Sequence, residues 1–350
     1  MRWLPIFCLV LLLCLAAWGL LWWIVLGASR AARRRELQSR IRRCERSQPP
    51  PSPATLRALH DAAQEARHAL CSTGGREVLY RRPWVLFVGD PAADLHALLA
   101  SAHPVGPVAS PAAGEVELFW RWWLTGRLTA IEVCPPPLAP ALPQDALWLR
   151  ALLELARQRP RRPLDGIALC VSTATLQADP SVARPALELL CRRAHETLQG
   201  LRVHMPVYVV VTGLQRLPGY ATVHAALPPE ALARTLGGLV TPGEPPTMQP
   251  AIGPVFEPLM RRLQALRLGL LPQFDTASPR ADVHRFVEAM QALAPGLALL
   301  VEQMDRAGDA QAALPWRALS FTASGPQGAF VSELFERWLP DDQGLARARD

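Results

Sequence analysis

Trp84-Val85-Leu86-Phe87-Val88-Gly89-Asp90-Pro91-Ala92-Ala93-Asp94-Leu95-His96 is the stretch on which the fold turns. An apolar run meets a glycine, and a helical pattern opens at Leu95. A short buried strand, a glycine turn and a helix form the opening unit of an α/β domain, and a phosphate loop sits at that turn. A working loop reads G-x-x-x-x-G-K-[ST]. Its glycines let backbone N–H groups curl round phosphates, its lysine reaches the β and γ oxygens, and its hydroxyl holds Mg²⁺. Here only Gly89 remains: Asp94 stands at the second glycine, Leu95 at the lysine and His96 at the hydroxyl. Asp94 adds negative charge where an anion would bind, and it suits a helix-capping role instead.

Outward from this unit, apolar runs alternate with helical patterns. Residues 128–133, 166–172 and 206–212 read as further strands, and 95–100, 146–157 and 183–198 as helices. Fully apolar, β-branched strands alternating with helices predict a mainly parallel sheet covered on both faces. From 227 to 314 the pattern turns helical and proline-punctuated, with main helices at 256–271 and 283–300. Strand character returns at 316–322, followed by a last helix at 329–338. The expected layout is one α/β domain over 76–340 with a helical insertion at about 227–314. An amphipathic helix at 55–75 precedes it and a tail at 341–350 follows.

The N-terminus predicts a membrane anchor. Residues 4–26 are 23 positions without a charge. At ~1.5 Å per residue they cross the roughly 30 Å hydrocarbon core once. Trp3 at one end and Trp22 and Trp23 at the other fit the two interfaces. A basic and proline-rich linker, 27–54, follows. Eight arginines lie between Arg30 and Arg46, and Arg30, Arg33, Arg34 and Arg35 come first. The positive-inside rule then places the N-terminus in the periplasm and the main domain in the cytoplasm. A cleavable signal is the alternative, with Gly27-Ala28-Ser29 as its cleavage site. The dense basic cluster just beyond that point opposes export.

Composition narrows the chemistry. The 350 residues carry a net charge of +7 and are 50% hydrophobic. That suits a globular domain with an anchor rather than a disordered chain. All 37 basic residues are arginine, so no lysine can serve as a phosphate ligand, Schiff base or general base. The basic stripe directly follows the apolar run, so a membrane surface fits it better than nucleic acid. The seven cysteines are dispersed with no C-x-x-C, and the eight histidines have no carboxylate–cysteine set beside them. No metal site and no cofactor is expected. Ser172 follows a strand but lies in no G-x-S-x-G, so no catalytic residue is assigned. Arg157-Gln158-Arg159-Pro160-Arg161-Arg162 reads as a solvated loop, with contact to acidic partners or phosphate as the alternative.

Several segments in the same order resemble the N-terminal cytoplasmic part of the IcmF/TssM family, inner-membrane subunits of type VI and type IVB secretion systems. They are Arg82-Pro83-Trp84 with its degenerate loop, Trp122-Trp123, Arg159-Pro160-Arg161-Arg162-Pro163-Leu164-Asp165-Gly166, and the run from Pro206 to Tyr220 through Thr212-Gly213-Leu214-Gln215. The tail agrees, from Arg317 to Gly325 and from Gly328 to Arg337. The resemblance implies a P-loop-NTPase-like fold with its nucleotide stations erased. Where the family carries Asp-Thr-Ala-Gly, this chain reads Ile131-Glu132-Val133-Cys134-Pro135. Glu132 mimics the carboxylate, but Pro135 has no N–H for a γ-phosphate. Where the family carries Thr-Lys-x-Asp, Gly213 and Gln215 replace the lysine and the carboxylate. Gly89, Asp94, Leu95, His96, Glu132, Pro135, Gly213 and Gln215 are thus the vestigial positions. The resemblance further implies a catalytically inactive assembly subunit that meets a TssL/DotU-like inner-membrane subunit and baseplate components. It leaves self-association open. A regulator competing for a full-length relative's partners is the alternative, and a rebuilt nucleotide hydrolase a lesser one. Family members usually begin with a pair of spans and continue through a further one into a periplasmic region, so the resemblance covers only the second span and the cytoplasmic domain.

Overall fold

The structure is a computed structural model. It describes residues 3–47, 49–75, 77–102, 107–108, 119–134, 144–240, 252–306, 314 and 316–348. In chain order the helices are α1 (Trp3–Ser47), α2 (Pro53–Gly74), α3 (Val78–Arg81), α4 (Leu95–Ala100), α5 (Gln144–Gln158), α6 (Thr173–Gln177) and α7 (Pro180–Leu201). They continue with α8 (Tyr220–Ala226), α9 (Pro229–Ala233), α10 (Gly253–Leu270), α11 (Ala277–Gln291), α12 (Ala294–Arg306) and α13 (Leu339–Asp341). The strands are β1 (Trp84–Gly89), β2 (Pro107–Val108), β3 (Trp120–Leu124), β4 (Thr129–Val133), β5 (Gly166–Ser172), β6 (Val203–His204), β7 (Val207–Thr212), β8 (Leu236–Leu239), β9 (Trp316–Thr322) and β10 (Arg347–Ala348).

Eight strands form one sheet in the order β2-β3-β4-β1-β5-β7-β9-β8. The central five, β4 to β9, run parallel. The edges are antiparallel: β2 and β3 on one side, β8 on the other. Period-two alternation divides the core. Leu86, Val88, Leu169, Val209 and Phe321 face α1, α2, α5, α7 and the helices α10 to α12. Val85, Phe87, Ala168, Cys170 and Val210 face α4 and the closing segment around Leu334 and Phe335. The rings of Phe87 and Phe335 stack at 5.5 Å. Strands buried on both faces explain the near-continuous apolar runs.

The local signals act as expected at α2. The Ser52 hydroxyl accepts from the Thr55 N–H at 3.0 Å, Pro53 opens the helix, and Gly75 at φ 74° ends it. A serine cap and a first-turn proline satisfy or remove donors that a helix start leaves free.

The structure corrects several boundaries. The sheet is mainly parallel as expected, but its antiparallel edge strands β2, β3 and β8 were not foreseen. Strand β8 lies inside the segment read as wholly helical. Its Leu-Gly-Gly-Leu sequence carries no strand signal, yet a Cβ on Gly237 would sit 2.0 Å from the Leu319 carbonyl oxygen. Only glycine admits that approach. The single helix expected over 283–300 is two, α11 and α12, broken just before Pro295, which has no N–H to give. The last helix starts later than expected: Ala329 bridges to Ala323, and Phe330 has φ 65°.

The linker and tail are parts of the domain. Helix α1 runs unbroken to Ser47 and buries Leu37 and Ile41 in the core. In the tail, Asp342 accepts from Arg317 Nε at 2.8 Å and from the Tyr208 hydroxyl at 3.0 Å, and β10 pairs with β6.

Among the described residues, no helix is long and apolar enough to cross a membrane. The apolar run 4–26 falls within α1, and most of its side chains lie outside the described residues. Those described, Phe7, Leu11, Leu12, Leu13, Leu15 and Trp18 among them, are exposed. Trp3, Trp22, Trp23 and Arg30 have side chains outside the described residues.

Candidate functional site

The parallel strands end side by side: Gly89 pairs with Cys170, Ser172 with Thr212, and Thr212 with Thr322. The chain leaves β1 for β4 on one side and β5 on the other. In open α/β sheets the ligand crevice lies at such a switch, outside the carboxyl ends of the strands.

Here the crevice is occupied by the chain's own carboxylate. Asp90 is buried, at 4% exposure. Its Oδ1 accepts from the Ala92 N–H at 2.7 Å and its Oδ2 from the Ser172 N–H at 2.6 Å. These two short bonds to an ionisable acceptor are of the strong, charge-assisted kind. They consume backbone donors at the ends of β1 and β5. Leu95 is buried and folds back on Gly89, where an added Cβ would meet it at 3.0 Å. Asp94, at φ 45°, caps α4 through the Ala97 N–H at 3.2 Å. The turn is thus collapsed onto its strand. Sequence reasoning passed over Asp90. Its signal was a carboxylate directly after the glycine that ends β1.

Glu132 lies opposite Arg121 across the β3–β4 ladder. Both its oxygens accept from Arg121 Nη1, at 3.1 and 3.2 Å, and Oε2 accepts from Trp123 Nε1 at 2.7 Å. It is 3% exposed, so the carboxylate expected to mimic a metal ligand is taken up within the sheet. His96 sits 2.7 Å from Arg121 Nη1 through Nδ1, with its ring exposed. Burial, with Glu132 adding to it, pushes the Cys134 thiol up to about 11. Pro135 lies outside the described residues. Among the described residues, no three His, Cys, Asp or Glu side chains are grouped to hold a metal ion.

The third station is also engaged. Gly213 has φ 90°, and its carbonyl accepts from the Thr173 hydroxyl at 3.1 Å. Gln215 clasps the loop after β9: Nε2 donates to Ser324 Oγ and Oε1 accepts from the Ser324 N–H, each at 3.2 Å. The structure therefore gathers Gly89, Asp94, Leu95, Gly213 and Gln215 at the carboxyl edge, with Glu132 and His96 toward its β3 side. An open cavity of about 370 Å³ adjoins this edge, between α9, Ser101 after α4 and the loop carrying Gly325 and Phe330, next to the Ser324 that Gln215 clasps.

The amino-terminal edge of the sheet holds a different cluster. Arg159 was expected in a solvated loop but is fully buried. Its guanidinium lies 5.1 Å from the Tyr80 ring centre and 5.3 Å from that of Trp84, and it pairs with Asp165. Asp165 also accepts from the Trp84 N–H at 2.7 Å and pairs with Arg162 at 2.6 Å. Burial lowers the Arg159 pKa, and Asp165 opposes the shift.

Two arginines assigned to the membrane interface serve the domain instead. Arg33 is 4% exposed and donates to the Pro160 carbonyl at 3.3 Å; Arg34 donates to that of Ala156 at 3.4 Å. Guanidinium groups suit the free carbonyls at a helix C-terminus, here that of α5. Arg35 remains exposed.

A family model described as the IcmF-related N-terminal domain matches residues 143–350. The match begins at α5 and leaves out β1 and its loop. The chain is 25% identical over 315 residues to the type VI secretion system component TssM1 of Pseudomonas aeruginosa, covering 84% of this chain and 28% of that protein. It therefore spans little more than a quarter of that relative's length. With more than half of its residues matched by the family model, the chain belongs to the IcmF-related N-terminal domain family.

Proposed function

We propose that this chain is a membrane-anchored, catalytically silent subunit of a type VI secretion system. Its frame is P-loop-NTPase-like and serves as a docking body rather than a nucleotide site. The strand order around β1, with a switch point at its carboxyl end, supports the frame. The observation that carries the reading is Asp90. Its carboxylate holds the N–H groups of Ala92 and Ser172 in the crevice where a phosphate would need free donors. Glu132 and Gln215 are likewise bound to the protein itself.

The anchor is the run 4–26, with the domain on the cytoplasmic side of the bacterial inner membrane. The exposed apolar side chains from Phe7 to Trp18 support it, since an aqueous surface carries a large contiguous apolar patch only at a cost. The partners that fit are a TssL/DotU-like inner-membrane subunit and baseplate components, in keeping with the similarity to TssM1. Equilibrium binding of labelled ATP and GTP to the full chain in nanodiscs tests the silent site, and no Mg²⁺-dependent binding is expected. Saturable micromolar binding would overturn it. Purification from native membranes tests the docking role: other secretion subunits are expected to come with the chain, and recovery of the chain alone would count against it.

A further inference from the structure

Helix α1 lies antiparallel to α5. Arg33 and Arg34 reach the carbonyls of Pro160 and Ala156, while Glu45 pairs with Arg150 at 2.6 Å. Passing from Glu45 back to Arg33, the helix therefore travels toward the amino-terminal edge of the sheet. It then continues without a break to Trp3. Arg33 lies only seven positions beyond Leu26, the end of the apolar run, or about 10 Å of helix. That is comparable to the headgroup layer and to the reach of a surface charge in salt.

The edge so placed is basic. Among the described residues its acids are paired: Asp165 with Arg159 and Arg162, Glu77 with Arg81, Asp341 with Arg127, and Asp342 with Arg317. Arg161, Arg202 and Arg347 are exposed there, and among the described residues none of the three has an ion-pair partner. Each is fixed by a different element: the loop before β5, the end of α7, and β10 against β6.

We propose that the amino-terminal edge of the sheet is a second membrane contact, in which Arg161, Arg202 and Arg347 meet the headgroups of anionic lipids. Helix α1 acts as a strut that fixes this edge toward the bilayer and turns the carboxyl edge, with its closed crevice, toward the cytoplasm. Since Arg33 and Arg34 are spent on α5, these three arginines and Arg35 add to the charge facing the lipid. The inference rests on the anchor reading above.

The test uses the full chain in nanodiscs of phosphatidylcholine with or without phosphatidylglycerol. A fluorescent amino acid is encoded at Gly344, exposed on this edge with open space beyond its Cα, or at Pro91, exposed at the opposite edge. Headgroup-bound spin labels serve as quencher. The expected result is quenching at position 344 and none at 91. Phosphatidylglycerol increases it, and both high salt and the combined Arg161→Gln, Arg202→Asn and Arg347→Gln substitutions abolish that increase. A chain that does not copurify with the discs refutes the anchor reading and this inference together. A chain that copurifies but shows equal quenching at both positions, or none that responds to phosphatidylglycerol, overturns this inference alone.

Discussion

The two ends of one sheet have opposite characters. At the carboxyl edge, where open α/β sheets in general bind ligands, side chains turn inward and bind backbone: Asp90 holds Ser172, Asp94 caps α4, and Gln215 clasps Ser324. At the amino edge, a buried arginine is stacked between two rings and its acid is shared, while Arg161, Arg202 and Arg347 are exposed at the surface. The contrast teaches that the switch point of such a sheet can be closed from within: a carboxylate of the chain accepts from the backbone donors there, and the crevice becomes a structural joint.

Four measurements break or sharpen this contrast. Asp165→Ala has the largest expected effect. It strands Arg159 without its counter-ion and is predicted to cost about 3–5 kcal/mol in unfolding experiments. A loss below 1 kcal/mol would show that the amino-edge cluster is not the joint described. Asp90→Ala comes next, at about 3 kcal/mol, because it leaves two donors without their charged acceptor. It should yield no nucleotide affinity, since Leu95 still covers Gly89.

Cys134 probes the carboxyl edge chemically. With its thiol at about 11 against an ordinary 9.0, it holds roughly fiftyfold less thiolate at pH 9. The greater nucleophilicity of a high-pKa thiolate offsets part of this, leaving alkylation roughly sixfold slower than in the urea-unfolded chain. The sign for stability follows. The unfolded chain releases this proton first, so stability is lost as pH rises from about 9 through about 11. Equal alkylation rates in the two states would contradict the burial. Gln215→Ala has the smallest effect, about 1 kcal/mol, with faster hydrogen exchange at the Ser324 amide and little change elsewhere.

Much of the frame was legible. Strands β1, β5, β7 and β9 are buried on both faces, so their runs of Val, Ile, Leu and Phe stand out against any background. The identities at Gly89, Asp94, Leu95, His96, Gly213 and Gln215 could be read too, because each lies at a fixed spacing. What could not be read is what those residues do instead. Asp90 looks like a turn residue until β5 brings the Ser172 N–H to it from 82 positions away. Arg159 looks solvated because arginine usually is. Its burial depends on Tyr80 and Trp84 closing around it. Strand β8 is hidden by its glycines. The basic stretch after the apolar run reads as lipid-facing by position, yet Arg33 and Arg34 are drawn away by the end of α5.

The central claim, that the crevice donors are held by Asp90, is tested most directly by hydrogen exchange at the Ser172 and Ala92 amides in the full chain. Both should exchange slowly, speed up in Asp90→Ala, and be unaffected by MgATP or MgGTP. Fast exchange in the unsubstituted chain, or protection that appears only with nucleotide, would contradict it.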